Sequence, residues 1–390
     1  MEKISPPRLL KFQPAAERPC AENKIGVDVV PSLEYDEDSF NRMLALERKR
    51  SERSKRPFML MLLSLEGIPE GESGCNVRAK LFSCLESAKR EIDVLGWYKF
   101  NTIAGIIFTE ISDLNDGAVS EVIVNRIKSS LALNMGADEI EKIIINIYFF
   151  PEKIDPEGWS SRLTLYPDIT NRLRSHKNRL FVKRIVDIFC SLVALTLTAP
   201  FFAIIAALIK LDSKGPVFFR QKRVGQYGKS FTFLKFRSMY VDNDPSIHRE
   251  YVKNLIRSPE NGAGNGNSHK PEVFKIQNDP RVTRIGGFLR ETSLDELPQF
   301  INVLKGEMSL VGPRPPIPYE LENYDLWHRR RVLGMKPGIT GVWQVEGRSR
   351  TTFNDMVRMD INYVTNWSLW LDFKLIFKTP LAVLTSKGAY

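Results

Sequence analysis

The sequence is poor in cysteine and histidine, with four of each in 390 residues. Cys20, Cys75, Cys84 and Cys190 show no CxxC spacing, which argues against a zinc site or a disulfide framework and fits a reducing compartment. The first thirty residues hold charges and prolines but no apolar run. A cleavable secretory leader is therefore not expected, and the N-terminus is expected to stay in the cytoplasm. Long apolar runs are also scarce: Ile185–Ile209 alone has membrane character, which excludes a transporter with several spans. Repeats of fixed period are absent, and no helix-turn-helix or RNP-like signature is visible.

What is present is ordinary globular composition, 43% hydrophobic and 26% charged, at a length that suits two or three domains. The net charge of +10 is unevenly shared. Residues 1–170 hold 22 Lys and Arg against 27 Asp and Glu, whereas 171–390 hold 34 against 19. A basic half calls for an anionic partner: nucleic acid, acidic lipid or phosphorylated substrate. The basic residues flank an apolar segment, so nucleic acid is the least favoured.

Residues 1–34, rich in proline, read as a disordered lead-in. Residues 35–167 alternate helical and strand patterns and predict a small α/β domain. Asp38–Arg56 reads as a charged helix. Phe58–Leu65 reads as a buried strand, Val77–Val94 as a helix, Gly96–Ile106 as a short hairpin and Thr102–Ile111 as a strand within its reach. Ala118–Leu133 reads as a helix and Lys142–Phe150 as a strand. Residues 168–180 read as a basic linker, 181–390 as a second, mainly helical domain, and 258–271 as a flexible loop within it. The order of elements in the first domain resembles the palm-like fold of GGDEF and cyclase domains. Where that family carries its acidic signature, this chain has Trp97-Tyr98-Lys99-Phe100-Asn101-Thr102, so cyclase chemistry is not expected. Regulation or dimerisation is the expected role.

The apolar segment, residues 185–209, is long enough to cross a bilayer, yet Pro200 interrupts it and basic residues are equally numerous on both flanks. A helix that enters one leaflet, breaks at Pro200 and returns would leave both ends on one side; a simple span and a buried core helix are the alternatives. Asp187 is expected at headgroup level or paired with a nearby Lys or Arg.

Beyond this segment lie motifs with a consistent chemistry. Lys214-Gly215-Pro216 and Arg223-Val224-Gly225 are followed by Lys235-Phe236-Arg237-Ser238 and Asp279-Pro280-Arg281. Then come Arg290-Glu291-Thr292-Ser293-Leu294-Asp295-Glu296-Leu297-Pro298-Gln299, Gly312-Pro313-Arg314-Pro315, Lys336-Pro337-Gly338-Ile339-Thr340-Gly341 and Tyr363 through Asp372. Ser293-x-x-Glu296 has the form of a capping box, which predicts Asp295 and Glu296 at the start of a helix where phosphate is favoured. Lys235, Arg237, Arg290 and Arg314 are candidate phosphate ligands. Gly338 and Thr340 form a turn that either approaches a nucleotide or is simply a turn. Trp367, Leu369, Trp370 and Leu371 suit either a headgroup-level surface or the core.

Through these motifs, over about residues 180–385, the chain resembles the bacterial sugar transferases, the monotopic phosphoglycosyl transferases. The resemblance implies a mainly α monotopic membrane domain, its re-entrant helix broken at Pro200; the α/β N-terminal domain lies outside the resemblance. It implies transfer of a sugar-1-phosphate from a nucleotide diphosphate sugar, a UDP-sugar, to undecaprenyl phosphate, with release of UMP. Asp295 matches the family nucleophile. Glu296 either binds Mg2+ with Asp295 or assists proton removal. The implied location is the cytoplasmic face of the inner membrane, among lipids, with both domains on that side. A homodimer through either domain is a separate expectation, outside what the resemblance implies. A silent scaffold for polysaccharide assembly is the alternative. One departure is Ala199-Pro200 where many members have Ser-Pro; Thr196 and Thr198 offer substitute hydroxyls.

Overall fold

The computed structural model describes residues 34–111, 117–152, 163–241, 246–257, 279–347 and 351–384. The lead-in up to residue 33 and the loop expected over 258–271 lie outside them. The chain divides into two compact units, Met1–Met43 with Met59–Ile147, and Leu44–Phe58 with Tyr148–Tyr390.

The first part of the chain follows the alternation expected. Its elements are α1 (Glu37–Ser54), β1 (Phe58–Ser64), α2 (Glu72–Ala88), β2 (Val94–Lys99), β3 (Ile103–Phe108), α3 (Gly117–Asn134), α4 (Ala137–Ile140) and β4 (Ile144–Phe150). The strands form one sheet in the order β2-β3-β1-β4. β1 pairs antiparallel with β3, Leu62 opposite Gly105, and β2 pairs antiparallel with β3. Phe58 to Leu63 are all buried, which explains why this strand reads as an unbroken apolar run rather than an alternating one. Gly105 is required where it stands. A Cβ there would lie 2.5 Å from the ring of Phe40, which packs on this strand. Cys84 is a free thiol, buried in this unit.

The second unit is mainly helical. It contains α5 (Pro167–Ser175), α6 (Lys177–Asp212), β5 (Phe218–Val224), β6 (Ser230–Phe236), α7 (Ser246–Arg257), α8 (Arg284–Glu291) and α9 (Gln299–Lys305). β7 (Ser309–Val311), α10 (Pro318–Leu321), β8 (Gly338–Thr340), α11 (Phe353–Thr365) and α12 (Leu369–Leu384) complete it. Residues expected as a linker are therefore helical, in α5 and the start of α6. Pro167 at the first position of α5 suits a helix start, where no intrahelical N–H is lost.

α6 is 36 residues long and remains helical through Pro200. The break expected at Pro200 is thus not an interruption of the helix. Proline removes one backbone donor, and the hydroxyl of Thr198 donates to Ala194 O at 2.7 Å just upstream. One narrow face of α6 is buried, through Lys183, Asp187, Ser191, Ile205 and Ile209. The remainder exposes Phe189, Leu197 and Phe201, each more than half accessible.

Both ends of the helix are anchored on the same body. Near its start, Lys183 Nζ pairs with Asp372 Oδ2 at 2.6 Å and donates to Val311 O at 3.0 Å. Asp187 accepts from Ser309 Oγ and Leu310 N, at 3.0 and 2.9 Å. Arg184 donates to the carbonyls of Val303 and Leu304 in the last turn of α9, at its negative dipole end. Near the other end, Ile205 and Ile209 pack with Phe236 and Leu289. Asp212 accepts from Ile285 N at 3.1 Å, at the start of α8.

Candidate active site

β5 and β6 form an antiparallel hairpin in which Phe219 faces Lys235. Period-two alternation puts Phe233 and Lys235 on one face. The guanidinium of Arg223 lies 4.4 Å from the Phe233 ring centre and the Lys235 ammonium 5.7 Å from it. This hairpin supplies a buried cation, Arg223, and a half-buried one, Lys235, above one aromatic floor.

The carboxylates come from the connection between α8 and α9. The expected capping box does not form: Ser293 is left-handed (φ 59°) and its side chain makes no cap. Its carbonyl instead accepts from Glu296 N at 3.2 Å, and Leu294–Glu296 is a single 3-10 turn. A left-handed serine costs about 1 kcal/mol or more, so the surrounding packing must enforce it. That packing is visible: Leu294 and Leu297, on either side of the carboxylates, pack against the cluster of Ile205, Ile209, Phe236 and Leu289. The turn is thereby fixed to the far half of α6.

On this turn Asp295 is only 6% exposed, whereas the Glu296 side chain is 38% exposed. Lys235 Nζ lies 2.7 Å from Glu296 Oε1 and 3.3 Å from Asp295 Oδ2. Burial opposes the ammonium charge, but the two carboxylates outweigh it and raise the Lys235 pKa. The two carboxylates thus already converge on one cation. Among the described residues no three His, Cys, Asp or Glu gather for a metal. The pair suits magnesium all the same, because that ion takes one or two carboxylates and completes its shell with water and substrate phosphate.

Arg223, which the sequence reading placed in a motif but not among the phosphate ligands, also lies beside this turn. Burial and the neighbouring Arg314 push its guanidinium down to about 10, so it remains charged at neutral pH. Glu296 and Glu320 lie close enough to act on it as well. Arg314, from the proline-rich loop after β7, lies 6.0 Å from the Trp343 ring centre. Arg290 is in the last turn of α8. Asp279 is held below the usual carboxylate range, first by hydrogen bonds from Arg281 and further by the charge of Arg290.

Three expected ligands are engaged elsewhere. Arg237 donates to the carbonyls of Lys214, Ser213 and Ile209 at 2.8, 2.7 and 3.3 Å. It closes the C-terminus of α6, where unpaired carbonyls and the negative dipole end attract a cation. Gly338 and Thr340 lie in β8, which pairs parallel with β7. A Cβ at Gly338 would meet Gly312 N at 2.1 Å, so this glycine serves a close backbone approach. Thr340 Oγ1 bonds Thr379 Oγ1 at 2.9 Å. Trp367 is buried and donates to Asp372 at 2.9 Å, whereas Trp370 is exposed.

The family described as bacterial sugar transferase matches residues 178–386. The chain is 42% identical over 224 residues to the undecaprenyl-phosphate galactose phosphotransferase of Salmonella typhimurium, covering 57% of this chain and 44% of that one. It is 43% identical over 208 residues to the exopolysaccharide production protein ExoY of Rhizobium meliloti, covering 53% and 88%. The chain spans less than half the length of several of the curated relatives it matches. A solved DGC protein from Thermotoga maritima shares 18% identity, covering 30% of this chain and 83% of that one, with a TM-score of 0.24.

Proposed function

We propose a reaction for this chain, which belongs to the bacterial sugar transferase family: transfer of a sugar-1-phosphate from a UDP-sugar to undecaprenyl phosphate. The observation that carries the proposal is the Asp295-Glu296 turn, bridged by Lys235 and packed against the apolar helix α6. A water-soluble phosphate donor and a lipid-borne acceptor both need access to one nucleophile at a membrane surface. This turn offers it.

In the first step an Asp295 carboxylate oxygen attacks the β-phosphorus of the donor. The bond from that phosphorus to the bridging oxygen breaks, and its electron pair leaves on UMP. The sugar phosphate is then held as a mixed anhydride on Asp295. In the second step a phosphate oxygen of undecaprenyl phosphate attacks the same phosphorus, giving the diphosphate-linked sugar lipid and restoring the carboxylate. Lys235, Arg223 and Arg314 hold and neutralise the phosphates, the main requirement of phosphoryl transfer. Asp295 and Glu296 are the residues that would hold magnesium, which supplies further neutralisation of the diphosphate.

Membrane placement is part of the same proposal. The exposed apolar flank of α6 suits lipid, and an unpartnered flank of that size is costly in water. Because Lys183 and Asp187 on one side, and Ile205 and Ile209 on the other, are held by the same body, the helix is proposed to enter one leaflet and not to cross. This keeps the protein at the cytoplasmic face of the inner membrane. The α/β unit is proposed to regulate or dimerise the enzyme.

Full-length protein in lipid nanodiscs with undecaprenyl phosphate, magnesium and a panel of UDP-sugars should release UMP, and Asp295→Asn should abolish release. Absence of UMP with every donor, or full activity in the variant, would overturn the proposal.

A further inference from the structure

The loop that carries Arg314 has an unusual hydrogen-bonding problem. Pro313, Pro315, Pro316 and Pro318 have no N–H, so the segment cannot bond to itself as ordinary backbone does. Its carbonyls are instead taken one by one by donors from other elements. Pro313 O accepts from Gly338 N at 3.0 Å, and Pro316 O from Val224 N at 2.9 Å. Pro315 O accepts from Arg223 Nη1 at 2.7 Å, and Arg314 O from Arg331 Nη2 at 3.0 Å. Gly312 N donates to Thr340 O at 2.9 Å.

Between Gly312 and Ile317 the only N–H is that of Arg314, and it lies close enough to the Asp360 carboxylate to favour its charged form. Asp360 in turn pairs with Arg331 at 2.5 Å. Both side chains are 1% exposed. Arg331 Nη1 also donates to the Tyr324 hydroxyl at 3.2 Å. One buried ion pair, joining the 3-10 turn Leu326–Val332 to α11, therefore holds the C=O of Arg314 through Arg331 and faces its N–H with Asp360.

A buried ion pair is an expensive way to gain stability, because an apolar pair of the same volume is often as good or better. What charges supply here is directionality at a single peptide. We propose that Arg331 and Asp360 are positioning residues that aim the Arg314 guanidinium at the phosphates of the nucleotide donor. The inference rests on the transferase reading above. Its physical content is that Arg331 and Asp360 touch no substrate and act only through Arg314, the one residue in the loop whose side chain is a cation. A phosphate clamp displaced by about 1 Å can cost on the order of a hundredfold in rate, so a pair that fixes the clamp's backbone has a large effect at a distance.

A double-mutant cycle in the full chain, in nanodiscs, tests this. UMP release is measured as kcat and KM for the donor in wild type, Arg314→Ala, Asp360→Asn and the double variant. Unfolding midpoints are followed in parallel. Each single variant should lose at least tenfold in kcat/KM, with the same split between kcat and KM. The double variant should be no worse than Arg314→Ala within about threefold. Arg331→Lys forms a second cycle that preserves the charge beside Asp360. A single ammonium cannot serve Asp360, Arg314 O and Tyr324 together, so the same non-additive loss is expected. Multiplicative losses in a folded cycle, or a silent Arg314→Ala, overturn the inference while the transferase reading stands. Absence of UMP from wild type instead overturns the reaction itself, and the inference with it.

Discussion

His328 is held in one tautomer by its neighbours. Its Nδ1 accepts from Asp325 N at 3.0 Å, so the proton sits on Nε2 and is donated to Asn354 Oδ1 at 2.9 Å. Protonating Nδ1 would break the first bond, and burial pushes the imidazole down to about 4. The folded pKa lies below the unfolded one, so between pH 6.5 and 4 the unfolded chain binds the extra proton. Stability is then lost as pH falls through that window, by about 2 kcal/mol at pH 5 from this group alone. The drop in unfolding midpoint from pH 7 to pH 5 should be smaller in His328→Gln than in wild type. Equal drops would contradict the assignment. Lys183 offers a second test at this scale. Lys183→Met leaves Asp372 buried without its cation and should cost about 3–5 kcal/mol, whereas the double variant Lys183→Met, Asp372→Leu should recover part of that loss. If the double variant unfolds as early as the single, the loss does not come from the stranded carboxylate.

Among the elements, α8 carries two adjacent glycines with opposite demands. A Cβ on Gly286 would lie 2.0 Å from Ser238 O, whereas one on Gly287 meets nothing within 4 Å. Gly286→Ala should therefore lower stability by several kcal/mol, since backbone must move. Gly287→Ala should raise it by about 0.5–1 kcal/mol, the ordinary gain of alanine over glycine in a helix. Paired thermal unfolding measurements check both signs. α8 also shows what was legible in the sequence and what was not. The strands and helices of the first part of the chain were legible because unbroken apolar runs such as Phe58–Leu63, and the helical spacing of the segments between them, depend on local pattern alone. Asp295, Glu296 and Lys235 were legible as a group because their motifs stand in a recognisable order. The capping box at Ser293 was not, because packing of Leu294 and Leu297 selects a left-handed turn that the local sequence does not encode. Nor was the fate of Arg237: whether an arginine faces substrate or the end of a helix is settled by which carbonyls lie opposite it, here those that close α6. Arg223 was named in a motif but not among the phosphate ligands, because an arginine on a strand carries no local signal of burial.

For the molecule as a whole, the charge asymmetry and the exposed flank of α6 make different contributions to membrane binding. The excess of basic residues over 171–390 attracts anionic headgroups at long range, but in about 1 M salt the screening length falls to about 3 Å. Apolar burial is not screened. The full chain should therefore remain on vesicles containing anionic lipid after washing in about 1 M salt. Phe189→Glu with Leu197→Glu, both at exposed positions of α6, should release it. Release of wild type by salt alone would mean that the helix is not in the bilayer.

Mass measurement of the protein after exposure to donor alone distinguishes a covalent step on Asp295 from direct transfer. With magnesium and the active UDP-sugar but no lipid acceptor, the account predicts a burst of UMP no larger than one per enzyme. It also predicts a matching mass increase of one sugar phosphate, localised to the peptide containing Asp295 and discharged on adding undecaprenyl phosphate. An enzyme that releases UMP only when acceptor is present, with no adduct on that peptide, would contradict it.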